Sequence, residues 1–218
     1  MVRNYKLALF DLDGTITQER SAWEYIHRRL DVWRGQAEKY QEAFLRGEID
    51  YDRFCRLDAA IWKGMRISEV KKILMEIPVY EGLEDFLRYL RSKRIKLGII
   101  SSGLSVLADW VKENYGFDFA IANELGATDG TLNGEIKINV HYDQKGEWVQ
   151  EAGRRFQASR EEILAIGDGS GDVQMFRMAG LSIAFNSLSP QLNALATLCV
   201  RTMDMRDLIP PLVRHLGP

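Results

Sequence analysis

The sequence predicts an α/β protein: a Rossmann-like parallel sheet with helices on both faces, and a small all-helical insertion directly after the first strand. Three observations predict this. Leu7-Ala8-Leu9-Phe10 is an unbroken apolar run after the charged Arg3 and Lys6, the pattern of a strand buried on both faces in a parallel sheet. From Val79 onward, short apolar runs alternate with amphipathic helical stripes, the rhythm of strands joined by crossover helices. Between Thr15 and Pro78 the apolar residues keep helical spacing and no strand pattern occurs. The expected division is therefore an α/β core of residues 1–15 and 79–218, with residues 16–78 as a helical unit inserted into it.

Composition narrows the class. A chain of 218 residues, 46% hydrophobic and 28% charged, has the make-up of a globular protein large enough for one α/β domain with a companion. A net charge of -2 supplies no large field for nucleic acid or a membrane surface, and no apolar run is long enough for a signal peptide or a span. Cys55 and Cys199 are far apart and lack metal spacing, so a reduced, cytoplasmic setting is expected. His27, His141 and His215 are isolated, which argues against a histidine-based zinc site. The expected partner is a small molecule, with neither nucleic acid nor membrane, and the expected state is a monomer or homodimer.

The elements follow in order. Trp23, Ile26, Leu30, Trp33, Ala37, Tyr40 and Phe44 recur at helical steps, as one long helix or two joined near Arg34-Gly35. Gly47 breaks the stripe, Asp50 caps a helix through Tyr51, Phe54 and Ile61, and Gly64 ends it. Ser68 is expected to cap a third helix (Val70, Ile73, Leu74, Ile77) that Pro78 stops. A helix through Leu83, Phe86, Leu87 and Leu90 ends in Arg91, Lys93 and Arg94, cations suited to a helix C-terminus. Ile95–Ile100 reads as a buried strand, and the next helix (Leu104, Leu107, Val111) stops at Gly116. Phe119–Ala122 is a short strand. Asp129-Gly130 and Asn133-Gly134 are both hairpin dipeptides, so residues 125–140 read as a small antiparallel excursion. A helix over 146–156, strand Ile163–Ile166, helix Val173–Met178, strand Leu181–Phe185, helix Pro190–Ala196 and strand Leu198–Val200 complete the alternation. Pro210-Pro211 blurs the start of a C-terminal helix.

Chemistry gathers at the strand ends. Asp11 and Asp13 follow the first strand two residues apart, so they face the same way, at the sheet edge where open α/β folds bind ligands. Two adjacent carboxylates repel and lose hydration when enclosed; a hard, oxygen-preferring cation such as Mg²⁺ relieves both penalties. Ser101, Lys145 and Asp168/Asp172 also fall just past predicted strands or at the start of the following helix. Singly each has a plainer role: Ser101 as a helix cap, Lys145 as a solvated lysine, Asp168-Gly169 as a turn, Asp172 as an N-cap. Together they supply what phosphoryl transfer needs: a carboxylate nucleophile, a second carboxylate for proton transfer, a hydroxyl and an ammonium for phosphoryl oxygens, and further acids for a metal. For one ion to serve Asp11 and Asp168, their carboxyls must lie well within about 10 Å of each other.

In this order, Asp11-Leu12-Asp13-Gly14-Thr15, Ser101, Lys145 and Gly167-Asp168-Gly169-Ser170-Gly171-Asp172 resemble the four motifs of the haloacid dehalogenase superfamily of phosphohydrolases. The insertion after the first motif and Ile100-Ser101-Ser102-Gly103-Leu104 are most similar to its phosphoserine phosphatase-like branch. The resemblance implies a Mg²⁺-dependent phosphomonoester hydrolase acting on a small metabolite. Asp11 would be the nucleophile and Asp13 the general acid/base, which also gives its backbone carbonyl to the metal. Ser101, with Ser102 as a competitor, and Lys145 would bind the phosphoryl group, and Asp168 and Asp172 would hold Mg²⁺. The insertion resembles the branch's helical cap, where Arg56 matches an arginine for a substrate carboxylate; Gly103 is implied in substrate binding. Two positions depart from the branch. Arg20 stands where a glutamate is usual, and Gly171 where an asparagine is usual. Arg20 with Arg56 would suit a more anionic substrate. Three other readings stay open: a phosphotransferase or mutase on the same scaffold, a receiver module that becomes phosphorylated on aspartate, and a catalytically weak binding protein.

Overall fold

Strand β1 (Leu7–Phe10) is fully buried and lies at the centre of the sheet. The computed structural model describes residues 4–217; residues 1–3, including the Arg3 read as flanking β1, and Pro218 lie outside the described residues. Seven strands among these residues run in the order β4-β3-β2-β1-β5-β6-β7: β2 (Lys96–Leu104), β3 (Phe119–Thr128), β4 (Thr131–Lys137), β5 (Ile163–Gly167), β6 (Leu181–Phe185) and β7 (Leu198–Val200). All neighbours are parallel except β3 and β4. The two-residue period of β1 divides its side chains between two apolar layers. Leu7 and Leu9 pack with α7 (Lys145–Arg155), α8 (Val173–Arg177) and α9 (Pro190–Leu195). Ala8 and Phe10 pack with α5 (Leu83–Ser92), α6 (Ser105–Tyr115) and α10 (Ile209–Leu216). Phe10 meets Phe86 and Phe117 edge-on, with centroids 6.0 and 5.4 Å away, a favoured aromatic arrangement. A strand apolar on both faces stays put only because both faces are covered.

Between β1 and α5 the chain forms four helices, α1 (Ala22–Arg29), α2 (Glu38–Leu45), α3 (Tyr51–Ile61) and α4 (Ile67–Leu74). Ser21 accepts from the Glu24 amide and Asp50 from the Arg53 amide, at 3.2 and 2.7 Å, ordinary N-cap bonds. The first stripe is two helices, separated where Gly35 takes φ 132°, a conformation side chains resist. Ser68 does not cap α4. The helix begins earlier, at Ile67, because the Ile67 amide is already bonded to the Gly130 carbonyl at 3.0 Å and Arg66 bridges Thr131. That bond belongs to the tip of the β3–β4 hairpin, so a neighbouring element sets the start. Asp129-Gly130, with φ 49° and 74°, makes the turn, as a two-residue hairpin requires. Asn133-Gly134 is not a turn. It lies inside β4 as a bulge: Leu125 pairs with Ile136 and Ala127 with Leu132, leaving extra residues on the β4 side. The bulge seats Gly134 against Lys63 and Ala60 at the end of α3.

Other boundaries shift by a few residues. β2 runs on through Ser101-Ser102-Gly103, with an irregularity between Ile100 and Leu104 where it leaves register with β3, and β3 extends into the hairpin. Pro210 and Pro211 sit in the first turn of α10, where a missing amide costs nothing. No helix of the described residues is long and apolar enough to cross a membrane.

Candidate active site

Register builds the site. Phe10 is opposite Ile99 on β2 and Ile166 on β5, so the chains leaving all three strands emerge side by side. The Asp11 amide still bonds the Ile166 carbonyl at 2.9 Å, which holds Asp11 at the sheet's C-terminal edge. Donor oxygens of Asp11, Asp168 and Asp172 lie within 4.8 Å of one another, and all three residues are buried. Lys145, at the first position of α7, is also buried; its Nζ donates to Asp11 Oδ1 at 2.6 Å and to Asp172 Oδ1 at 2.7 Å. The other Asp172 oxygen accepts from the amides of Asp168 and Gly169 at 3.0 and 3.1 Å. One carboxylate thus ties the loop after β5 to α7. Thr15 Oγ1 reaches Asp168 Oδ1 at 3.5 Å.

On the other side, buried Ser101 accepts from the Gly103 amide at 2.9 Å, leaving its hydroxyl hydrogen for another acceptor. Asp13 shares this corner. Its Oδ1 is buried with no partner, and a Cβ on Gly103 would stand 2.5 Å from its Oδ2, so a larger residue there would displace the Asp13 carboxylate. Ser102 lines the same cavity, and its carbonyl accepts from Tyr51 Oη and Asn123 Nδ2 at 2.5 and 2.9 Å.

The electrostatics follow from crowding. Burial, then repulsion from Asp172, pushes the Asp11 carboxyl up to about 6 against the pull of Lys145. Burial, then repulsion from Asp11, pushes Asp13 up to about 7, and burial with two carboxylate neighbours pushes Asp168 up to about 8. For Lys145, burial alone would lower the ammonium, but Asp11 and Asp172 overcome it and hold it above the ordinary lysine range. Four aspartates and only two cations, Lys145 and Arg20, line the cavity of about 350 Å³. Clustered oxygen donors, a negative excess and an orphaned Asp13 oxygen suit a small, hard divalent cation.

A family model for haloacid dehalogenase-like hydrolases matches residues 8–177. The chain belongs to this family. The chain is 30% identical over 210 residues to a phosphoserine phosphatase of Methanocaldococcus jannaschii, covering 96% of this chain and 98% of that protein. It is 32% identical over 186 residues to a phosphoserine phosphatase of Archaeoglobus fulgidus, covering 85% of this chain but 54% of that one. A solved phospho-aspartyl intermediate analogue of a phosphoserine phosphatase superposes with a TM-score of 0.83 at 28% identity, over 96% of this chain and 99% of that chain.

Within this haloacid dehalogenase-like hydrolase, the two arginines singled out in the sequence part company. Arg20 lines the cavity, but its guanidinium is engaged: Nη1 donates to Asp168 Oδ2 and Nη2 to the Asn186 carbonyl, both at 2.6 Å. Arg56 does not reach the cavity. Tyr51, Phe54, Cys55, Asp58 and Ala59 form the buried stripe of α3, and Arg56 falls off it, 68% exposed and 3.5 Å from Asp52. Sequence patterning gave no signal for three other contributors. Tyr51 read as core, yet its ring lines the cavity. Buried Asn123 donates to Tyr51 Oη at 2.9 Å and accepts from the amides of Asn139 and Val140, each at 2.9 Å, so it pins the insertion to the sheet. Tyr142 lines the cavity with its hydroxyl 2.5 Å from Ser170 Oγ.

Proposed function

We propose that the protein is a Mg²⁺-dependent phosphomonoester hydrolase of small metabolites in the cytoplasm, working through an aspartyl phosphate on Asp11 beneath a helical cap of residues 16–78. The observation that carries this reading is the Asp11 carboxylate at the end of β1, 2.6 Å from the Lys145 ammonium and within 4.8 Å of oxygens from Asp168 and Asp172. An anionic nucleophile meeting an anionic phosphate needs positive charge beside it, which Lys145 supplies and a divalent cation held by the clustered carboxylates would add.

Asp11 forms the new O–P bond as the bond from phosphorus to the alcohol oxygen breaks. Asp13, pushed up to about 7, carries a proton near neutral pH and gives it to the departing oxygen. The resulting Asp13 carboxylate takes a proton from water attacking the phosphorus of the aspartyl phosphate, which releases inorganic phosphate and restores Asp11. Lys145 and the Ser101 hydroxyl hold phosphoryl oxygens, where charge grows in the transition state. Asp11, Asp168, Asp172 and the Asp13 backbone carbonyl would hold Mg²⁺, which supplies Lewis-acid neutralisation of the phosphoryl oxygens. The cap excludes bulk water while the acyl phosphate exists.

Release of inorganic phosphate from a panel of metabolite phosphates, with O-phosphoserine, sugar phosphates and phosphoglycolate included, tests the reading. Turnover is expected with magnesium and not with EDTA, and acid-quenched digests should carry phosphate on the Asp11 peptide. A folded protein that releases no phosphate from any ester with magnesium would overturn it.

A further inference from the structure

We infer that the alcohol this enzyme releases is apolar, a ring-bearing or alkyl alcohol rather than a zwitterionic amino acid; this rests on the phosphomonoesterase reading above. The cavity has two unlike halves. Its charged lining residues are the four aspartates, Lys145 and Arg20, which occupy the phosphoryl end. Apart from Arg20, the wall supplied by the insertion is Trp23, Phe44, Leu45, Tyr51 and Phe54, with two uncharged polar side chains, Gln41 and Ser21, the latter accepting from the Glu24 amide. The rings interlock: Phe44 stacks on Phe54 at 5.2 Å and meets Tyr142 edge-on at 5.8 Å. Both tyrosine hydroxyls are engaged by the protein. Tyr51 donates to the Ser102 carbonyl and accepts from Asn123, and Tyr142 pairs with Ser170. Both also line the cavity.

Free charged groups to pair with an ammonium and a carboxylate are missing from that wall. Arg20 is bound to Asp168 and the Asn186 carbonyl, Arg56 is outside the cavity, and no acid lines it beyond the four at the phosphoryl end. Gly171 removes one more polar position. A Cβ there would lie 2.9 Å from the Tyr142 carbonyl oxygen and 3.1 Å from its ring, so the tyrosine occupies the space a side chain would need. Exposed apolar residues line the cavity as well. Leu45 from the insertion and Leu188 from the core are the most exposed large hydrophobic residues described, 72% and 71% accessible, and both line the cavity. Water-facing leucines that line a cavity are covered when an apolar group lies against them. A zwitterion placed there loses hydration with no free charged partner in return.

Three alkyl phosphates whose leaving alcohols are chemically comparable separate the outcomes: 2-phenylethyl phosphate, ethyl phosphate and O-phospho-L-serine, each with magnesium. The expected kcat/KM for 2-phenylethyl phosphate exceeds that of both others by about tenfold or more, the scale on which apolar pockets discriminate. In the paired variant Leu45→Ser, Leu188→Ser, whose sites are exposed and leave the core intact, the ratio of 2-phenylethyl to ethyl phosphate should fall by about threefold or more. Phosphoserine turned over as well as 2-phenylethyl phosphate, or a ratio that the paired variant leaves unmoved, overturns the inference while the phosphatase reading stands. No hydrolysis of any of the three beside turnover of a sugar phosphate or phosphoglycolate overturns the inference alone, and no hydrolysis of any ester removes the phosphatase reading and the inference with it.

Discussion

Replacing Lys145 with methionine keeps the length of the stem and deletes only the charge. Lys145 is 2% exposed and bridges Asp11 and Asp172 at 2.6 and 2.7 Å, so the variant leaves two buried carboxylates facing each other with no cation between them. Removing one partner of a buried ion pair costs about 3–5 kcal/mol. A solvent-exposed pair such as Arg88–Asp85, 72% and 42% accessible, is worth about 0–1 kcal/mol, and Arg88→Ala serves as the control. Urea unfolding at pH 8 in EDTA, followed by tryptophan fluorescence, reads the difference. With slopes of about 1–3 kcal/mol per molar urea, the midpoint of Lys145→Met should fall by roughly 1 M or more. Magnesium should then restore more stability to the variant than it adds to the wild type, because the extra negative charge attracts the ion. A Lys145→Met protein that loses less than about 1 kcal/mol in EDTA, no more than Arg88→Ala, would refute the idea that this ammonium offsets a buried excess of carboxylate.

Asp13→Asn should lower turnover by about 10²–10⁴-fold, the usual worth of a general acid/base, with the phosphorylated form accumulating for substrates whose alcohols leave without help; rapid acid quench and mass spectrometry would detect it. Asp168→Asn should weaken magnesium binding in isothermal titration calorimetry while the melting temperature in EDTA holds or rises, since a buried carboxylate has been neutralised. Burial raises the Asp58 carboxyl above its ordinary value, with His27, 3.2 Å away, acting against it. Its contribution to stability is therefore present below the unfolded carboxylate pKa near 3.8 and lost as pH rises through the raised folded value. Melting curves should show Asp58→Asn gaining on the wild type across that window, and parallel pH profiles would contradict this.

Much of the architecture was legible because its signals are local. An apolar run such as Leu7–Phe10 has one comfortable place, the middle of a covered sheet, and whatever follows it must emerge at the sheet edge. The breaks at Gly35 and Gly47 and the cap at Asp50 depend on residues within a turn of each other. Misreadings arose where a distant element intervened. Ser68 lost its expected capping role because the hairpin tip bonds Ile67, and Asn133-Gly134 became a bulge because α3 packs against it.

By itself the sequence determined the α/β class, the succession of strands along the chain and the four acids that fall beyond them, since hydrophobic period and motif order are written in neighbouring residues. Only the tertiary structure decided what the two conspicuous arginines do. Arg20 meets an acid 148 residues away, and Arg56 turns outward because the buried stripe of α3 lies on another face. It alone also set Tyr142 against Gly171 and brought aromatic residues into the same cavity as the aspartates. Those facts depend on which surfaces meet when helices pack on a sheet, and no spacing along the chain encodes that.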